Sequence, residues 1–494
     1  MLTNNITGIS LDGVLTRMLP AGPVAASNIA TGVCVLVATA DWGPDNKAVA
    51  LGTFSDYVKQ FGSYAKDADG LETDGYVQAW GYFAGGKKRR ISGGGSDLRM
   101  IRVCGSSKAK ASKAFYDGAS TPAIVGTASA RYYGAAGNGI QVKLEKDAEV
   151  FHLTVLPFDT MPPEVFKNLT IETAERAING VSKYIVWEKG VSEQLPASVT
   201  AYLSGGDSGL GAMDADYVGQ AGASPTGFEL AKTVADVNFL VSGKLSSAIK
   251  TQMKAVADAL YAQAIVGPDS KSQVPDDAIA EQLFDDWAVI YAFGYQEWLN
   301  PVSGMTQSVF PAGSIAGALC NAPYWASLSQ CQLNGYMGPS MPLSEVDAER
   351  LAKKGIIPIT AGSVCRKGSN TSSDESINQI EDFRIPVFLA KSLDATVKPL
   401  IAEPQVYDEA TGQSDFFNDL TEACEQLLRL QPKEAVQSAY VDAHYEADLA
   451  EQNKAKVAVV VRQTAKANQI IVDVTAGRTA LRVVPAGVNL ITGA

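Results

Sequence analysis

Apolar and polar positions alternate with three different rhythms along the chain, and the rhythm changes mark its candidate divisions. In residues 26–105 the pattern is α/β. "GVCVLVATA" is a continuous apolar run rich in β-branched residues, which predicts a strand covered on both faces. It leads through a Gly43-Pro44 turn into "TFSDYVKQFG", where Phe54, Tyr57, Val58 and Phe61 recur at helical spacing. Ser55 is the expected N-cap there and Gly62 the expected stop. A second helix is expected in "TDGYVQAWGYFAGG" and a strand in "LRMIRV", so this part reads β-α-α-β.

Residues 106–212 are rich in Gly, Ser and Thr, with short alternating runs such as "GIQVKLEK", "VFHLTVLPF" and "SKYIVWEK". Strands at that spacing predict an antiparallel β domain inserted into the first unit. The α/β rhythm returns over 213–365. There "VNFLVSG", "AIVGPD" and "WAVIYAFG" read as strands, while "LSSAIKTQMKAVADALYAQ" and "DDAIAEQLF" read as helices. "FPAGSIAGALCNA" is a helix with small residues on one side, suited to close packing. "PLSEVDAERLAKKG" carries Ser344 as N-cap, Asp347 three residues on, and Gly355 as the residue after the helix. Over 366–476 the expectation is a strand in "RIPVFLAKSL", a helix in "FFNDLTEACEQLLRL", and strands in "KVAVVVRQT" and "QIIVDVT".

Both ends read as extended arms, residues 1–25 and 477–494. Each has an apolar patch without a partner in its own vicinity: Leu11, Val14 and Leu15 at one end, Leu481, Val483 and Val484 at the other. Unpaired strands carry backbone donors and acceptors that another subunit's sheet edge can satisfy, so these six residues are the candidate assembly positions.

Composition narrows the chemistry. With 41 basic and 53 acidic residues the net charge is −12, which disfavours nucleic acid and anionic membrane surfaces as direct partners. The N-terminal segment lacks a signal peptide's basic and apolar regions, and no apolar run approaches a membrane span, so synthesis in the cytosol is expected. Only two histidines occur, His152 and His444, which leaves little from which to build a zinc site or a histidine-based triad. Six scattered cysteines (Cys34, Cys104, Cys320, Cys331, Cys365 and Cys424) show no CxxC pair. They read as reduced, buried thiols, or as disulfide partners if the protein later meets an oxidising exterior.

No motif assembles an active site. "GGDSGL" holds the Gly-Asp-Ser-Gly of chymotrypsin-like proteases around Ser208, but the only upstream histidine is His152 inside an alternating strand. A glycine-rich turn explains it better. "GPDNK" after the first strand offers few free amides and an acidic residue, a poor phosphate cradle. Neither "SGGGSDL" nor "YYGAAGNGI" fits a dinucleotide fingerprint. "KKRR", residues 87–90, reads as a solvated loop or as a contact with a neighbour's carboxylates. The sequon at Asn168 carries no weight without a secretory signal. No catalytic residue, cofactor or metal is assigned. The competing reading is an α/β enzyme, nucleotide-dependent or hydrolytic, without a recognisable active site.

The order of segments resembles the tail sheath proteins of contractile-tailed bacteriophages and related injection machines. The resemblance rests on "TGVCVLVATADWGPDNKAVALGTFSDYVKQFG", "YFAGG…LRMIRV", "AAGNGIQVKLEK" with "FHLTV", "PPEVFKNLTIE", "LSGGDSGL" and "PLSEVDAERLAKKGIIPI", over roughly residues 25–475. It implies a non-enzymatic α/β core, subtilisin-like without the protease triad, with an inserted antiparallel β domain, an α+β C-terminal domain and extended arms. It further implies six-membered rings stacked into a helical sleeve around an inner tail tube protein, with baseplate and tail terminator proteins as further partners. The sleeve contracts to drive the tube through the host envelope. Such a protein resides in the virion tail and is assembled in the host bacterial cytoplasm. Strand donation by both arms is part of the same implication. Lys353, Lys354, Arg366 and Lys367 are basic candidates for a tube-facing side, with solvated loop positions as the plainer reading.

Overall fold

A computed structural model describes residues 30–158, 161–269, 274–401, 403–407, 414–451 and 454–464. The candidate arm residues Leu11, Val14, Leu15, Leu481, Val483 and Val484, and the expected strand "QIIVDVT", lie outside the described residues.

The apolar run at the start becomes the strand Val33–Ala38, buried at every position. It pairs in parallel with Asp97–Arg102 on one side and Val237–Ser242 on the other. Parallel pairing continues through Gln263–Val266, Val289–Phe293 and Ile356–Thr360. Antiparallel strands complete the sheet at both margins: Ala48–Leu51 at one, and Val364–Cys365, Cys331–Leu333, Gly86–Lys88 and Ile91–Gly93 at the other. The result is an eleven-stranded mixed sheet. Burial on both faces explains why its central strands read as unbroken apolar runs.

Helices cover this sheet where the sequence places them, and the helix pair Asp74–Ala84 and Ala312–Asn321 packs closest. A Cβ added at Gly313 would stand 2.0 Å from the Gln78 carbonyl oxygen, and one at Gly317 would stand 1.9 Å from that of Tyr82. The small-residue stripe is therefore what lets two backbones touch. In Glu345–Lys353, Ser344 caps as expected, its hydroxyl accepting from the Asp347 amide at 3.1 Å. The first helix, Phe54–Phe61, is capped two residues earlier than expected. Thr53, in extended backbone, accepts from the Asp56 amide at 3.2 Å, so Ser55 lies inside the helix instead. Gly62 ends it with φ 79°.

Two small antiparallel sheets follow the first core segment. One orders Glu164–Leu169, Val150–Leu156, Gln141–Asp147 and Val199–Tyr202; the other orders Ile185–Lys189, Ile124–Ala130 and Ser112–Tyr116. They share an apolar cluster of their own around Phe115, Phe151 and Trp187, with the Phe115 and Trp187 rings stacked at 5.8 Å.

The C-terminal part departs from expectation. "RIPVFLAKSL" is not a strand but the middle of a helix, Ile380–Val397, despite Pro386. A proline in a helix leaves the carbonyl four residues earlier without its amide partner. That carbonyl belongs to Asp382, and the Gln463 side-chain amide donates to it at 3.4 Å. The helix has no single apolar stripe because it joins two cores: Ile380 and Phe383 belong to the large one, Ile385 and Leu389 to a small C-terminal one. Asp415–Arg429 is helical as expected, and Val457–Gln463 is a strand. Its partner Val436–Ala443, which the sequence did not reveal, makes a two-stranded antiparallel sheet with it.

Candidate functional site

In open parallel sheets, ligands bind beyond the carboxyl ends of the strands, where the strand order reverses. Here that place lies past Ala38, Arg102 and Ser242. It is filled by polar side chains that use one another up. Arg102, fully buried at the end of its strand, donates to the carbonyl oxygens of Ala40 (3.0 Å), Gly43 (2.7 Å), Tyr133 (2.9 Å) and Ser208 (3.1 Å). One guanidinium thus ties the end of the first strand to two segments of the β-rich part.

Ser208, the serine of "GDSG", is 4% exposed. Its hydroxyl donates to Asp41 Oδ1 at 2.5 Å and accepts from the Ala135 amide at 2.8 Å. His152 is engaged elsewhere, its Nδ1 accepting from the Asn168 amide at 3.0 Å. With its hydroxyl held by a carboxylate and no imidazole bonded to it, Ser208 closes a turn rather than attacking a carbonyl.

Asp74, at the start of its helix, accepts from the Thr39 amide (2.6 Å), the Thr39 hydroxyl (2.7 Å) and the Tyr217 hydroxyl. Burial raises the Asp74 carboxyl above the usual carboxylate range, and burial likewise pushes Tyr217 up. A perturbed carboxyl in such a position is a recognised sign of catalysis. Here its acceptor capacity is spent on the chain's own backbone and hydroxyls, and its chemical role is to fasten the helix to the strand end. Among the described residues no cluster of His, Cys, Asp and Glu could hold a metal ion, and no helix is long and apolar enough to cross a membrane.

The six cysteines are free thiols. Five are buried and Cys320 is half-buried; burial raises all of them, Cys320 to about 12 and Cys331 to about 11, away from the reactive thiolate. Cys331 and Cys365 are direct cross-strand partners, while Cys104 and Cys424 lie in separate parts. The basic candidates Lys353, Lys354, Arg366 and Lys367 gather around the helix Glu345–Lys353. Arg366 pairs with Glu345 at 2.9 Å, Lys353 pairs with Glu349 at 2.9 Å, and Lys367 Nζ donates to the Ala352 carbonyl at 2.8 Å.

Of surfaces that could join subunits, the C-terminal hairpin is the clearest, and the sequence did not single it out. One face of its two strands packs on the helices through Val436, Val441, Val459 and Val461. The other leaves Tyr440 and Val460 each 65% exposed. Between Val459, Val461 and the helix residues Ile385, Leu389 and Leu393 runs an apolar groove of about 260 Å³. Two strands alone make a marginal sheet, and each has an edge without a partner among the described residues.

No family model and no curated protein matches the chain. Solved structures do. The chain is similar to a sheath tail protein of Listeria innocua (14% identity, TM-score 0.59, 87% of this chain and 95% of the other). It is also similar to a sheath tail protein of Desulfitobacterium hafniense (15% identity, TM-score 0.56, 88% and 96%). A third likeness is to the contracted helical sheath of the anti-feeding prophage (13% identity, TM-score 0.53, 96% and 99%). The chain therefore has the fold of these sheath proteins over nearly its whole length.

Proposed function

We propose that the chain is the structural subunit of a contractile tail sheath, polymerising around an inner tube and contracting to drive it through a host envelope. The observation that carries this reading is the likeness to sheath proteins along almost the full chain, including one in a contracted helical assembly. The chemistry agrees. At the place where an α/β enzyme would bind its ligand, Arg102, Ser208 and Asp74 bond to the chain itself. No specific observation favours the enzyme reading.

The finer parts of the proposal follow from the same resemblance. Subunits form hexameric rings stacked in a helical sleeve, bounded by baseplate and tail terminator proteins, within a virion assembled in the bacterial cytoplasm. The core at 26–105 and 213–365 is subtilisin-like and non-catalytic, interrupted by the β-rich 106–212 and followed by a sheath domain at 366–476. The arms, 1–25 and 477–494, donate strands to neighbours through Leu11, Val14, Leu15, Leu481, Val483 and Val484. The open hairpin edges and the groove beside Val459 and Val461 supply an acceptor of the right chemistry, since an added strand would pair its backbone and bury alternate apolar side chains.

Deleting residues 1–18, or the tail from Thr479, tests the arms. Each truncated chain is expected to keep the circular dichroism and melting of the full chain yet sediment as a monomer. Normal polymers from either truncation would overturn the assignment of the arms.

A further inference from the structure

Two of the six cysteines face each other directly: Cys331 and Cys365, on the antiparallel strands Cys331–Leu333 and Val364–Cys365. Directly opposed side chains emerge on the same face of a sheet, with Cα atoms about 4.5–5.5 Å apart. A disulfide takes Cα atoms about 4.4–6.8 Å apart, so the register supplies the spacing without backbone movement. The surroundings put both thiols on the side of the helix Ala312–Asn321. A Cβ added at Gly86 would stand 2.7 Å from Cys331 Sγ and 3.1 Å from the Ala318 Cβ. Burial pushes the Tyr336 hydroxyl up and nearby Cys365 adds to it, while that hydroxyl lies 2.7 Å from the Ser314 hydroxyl of the same helix.

The seam at these strands is thin. Cys331–Leu333 meets Val364–Cys365 through the pairs Cys331 with Cys365 and Gln332 with Val364. On its other side it meets the margin hairpin through Gln332 with Lys87 and Leu333 with Gly86. So few pairs open locally at much lower cost than the centre of the sheet.

We infer that Cys331 and Cys365 form a cross-strand disulfide when the chain meets a low-molecular-weight disulfide of the glutathione class, fastening the margin hairpin's seam to the parallel strands. The inference is independent of the sheath reading. As the seam opens, the Cys331 thiolate attacks one sulfur of the small disulfide and expels the other as a thiolate. The Cys365 thiolate then attacks Cys331 Sγ in the mixed disulfide and expels the second half. Two protein thiols are oxidised, one small disulfide is reduced, and the two protein protons leave on the two small thiols. Cys331 is the natural attacker. Burial pushes it up only to about 11, with the Lys88 ammonium drawing it back, whereas burial and then Cys331 push Cys365 well up.

Cys34 and Cys320 are the competing pair. They too are neighbours, since Cys320 adds to the rise that burial causes in Cys34. They sit on a strand and a helix rather than in register, however, and the Tyr82 hydroxyl engages the Cys320 thiol.

The test equilibrates the full-length chain in glutathione redox buffers, once native and once unfolded in urea, followed by alkylation and peptide mapping by mass spectrometry. At equilibrium burial affects only the rate. The expected native product is one intrachain link, Cys331–Cys365, with an effective concentration about a hundredfold above that in the unfolded chain. The linked chain is expected to melt above the reduced one. C34S is expected to keep the link, and C331S and C365S to leave none. A link between Cys34 and Cys320 instead, a stable glutathione adduct in place of the link, or an effective concentration no higher than in the unfolded chain would overturn the inference. None of these results would touch the sheath reading.

Discussion

Arg102 and Asp74 set the tone at the scale of single residues. Arg102 is fully buried and Asp74 half-buried, and both bond to the chain itself, Arg102 to carbonyls and Asp74 to an amide and two hydroxyls. Arg102 sits in "LRMIRV", where a charged residue interrupting an apolar strand is a sign that the interior offers it partners. The sign says nothing of which partners, because the four carbonyls come from three segments far apart in sequence, at Ala40 and Gly43, Tyr133 and Ser208. Arg102→Leu is expected to destabilise the fold by about 3–5 kcal/mol, since it strands several buried acceptors at once. Urea unfolding monitored by circular dichroism measures this; a loss below about 1 kcal/mol would show that the junction does not depend on the guanidinium. Ser208 is a case where the motif was legible and its role was decided by absence: too few histidines in the sequence, and a carboxylate on its hydroxyl in the structure.

Among elements, the strongest signals were the long ones. The buried strand Val33–Ala38, the small-residue helix Ala312–Asn321 and the Ser344-capped helix are local facts of composition and spacing. Short margin strands such as Ala48–Leu51 escaped because four residues carry little pattern. The helix Ile380–Val397 was misread for a different reason. Its apolar residues face two cores, so no polar stripe marks a helical period, and Pro386 reads as a breaker. What allows it is a side chain 77 residues later in the chain, Gln463. Gln463→Ala is expected to destabilise by roughly 1 kcal/mol in the wild-type background and by clearly less with Pro386→Ala, where the helix makes its own bond to Asp382. Equal losses in both backgrounds, measured by a double-mutant cycle, would show that the amide does not compensate the proline.

At the scale of the whole molecule, the order of elements and the scarcity of histidines were readable from the sequence, while the exposed edges of the C-terminal hairpin were not. Interfaces are ordinary surface until a partner covers them, so pattern marks them only weakly. The C-terminal hairpin edges and the groove beside them emerged only from the folded chain. Both belong to a chain in which the carboxyl ends of the first parallel strands are filled by its own side chains. On the reading proposed above, such a molecule acts through shape, charge and contact with its copies. Negative-stain electron microscopy of the purified full-length chain tests that claim most directly. Long hollow tubes with a regular axial repeat and six-fold end views are the expected result; discrete small particles at every concentration would contradict it.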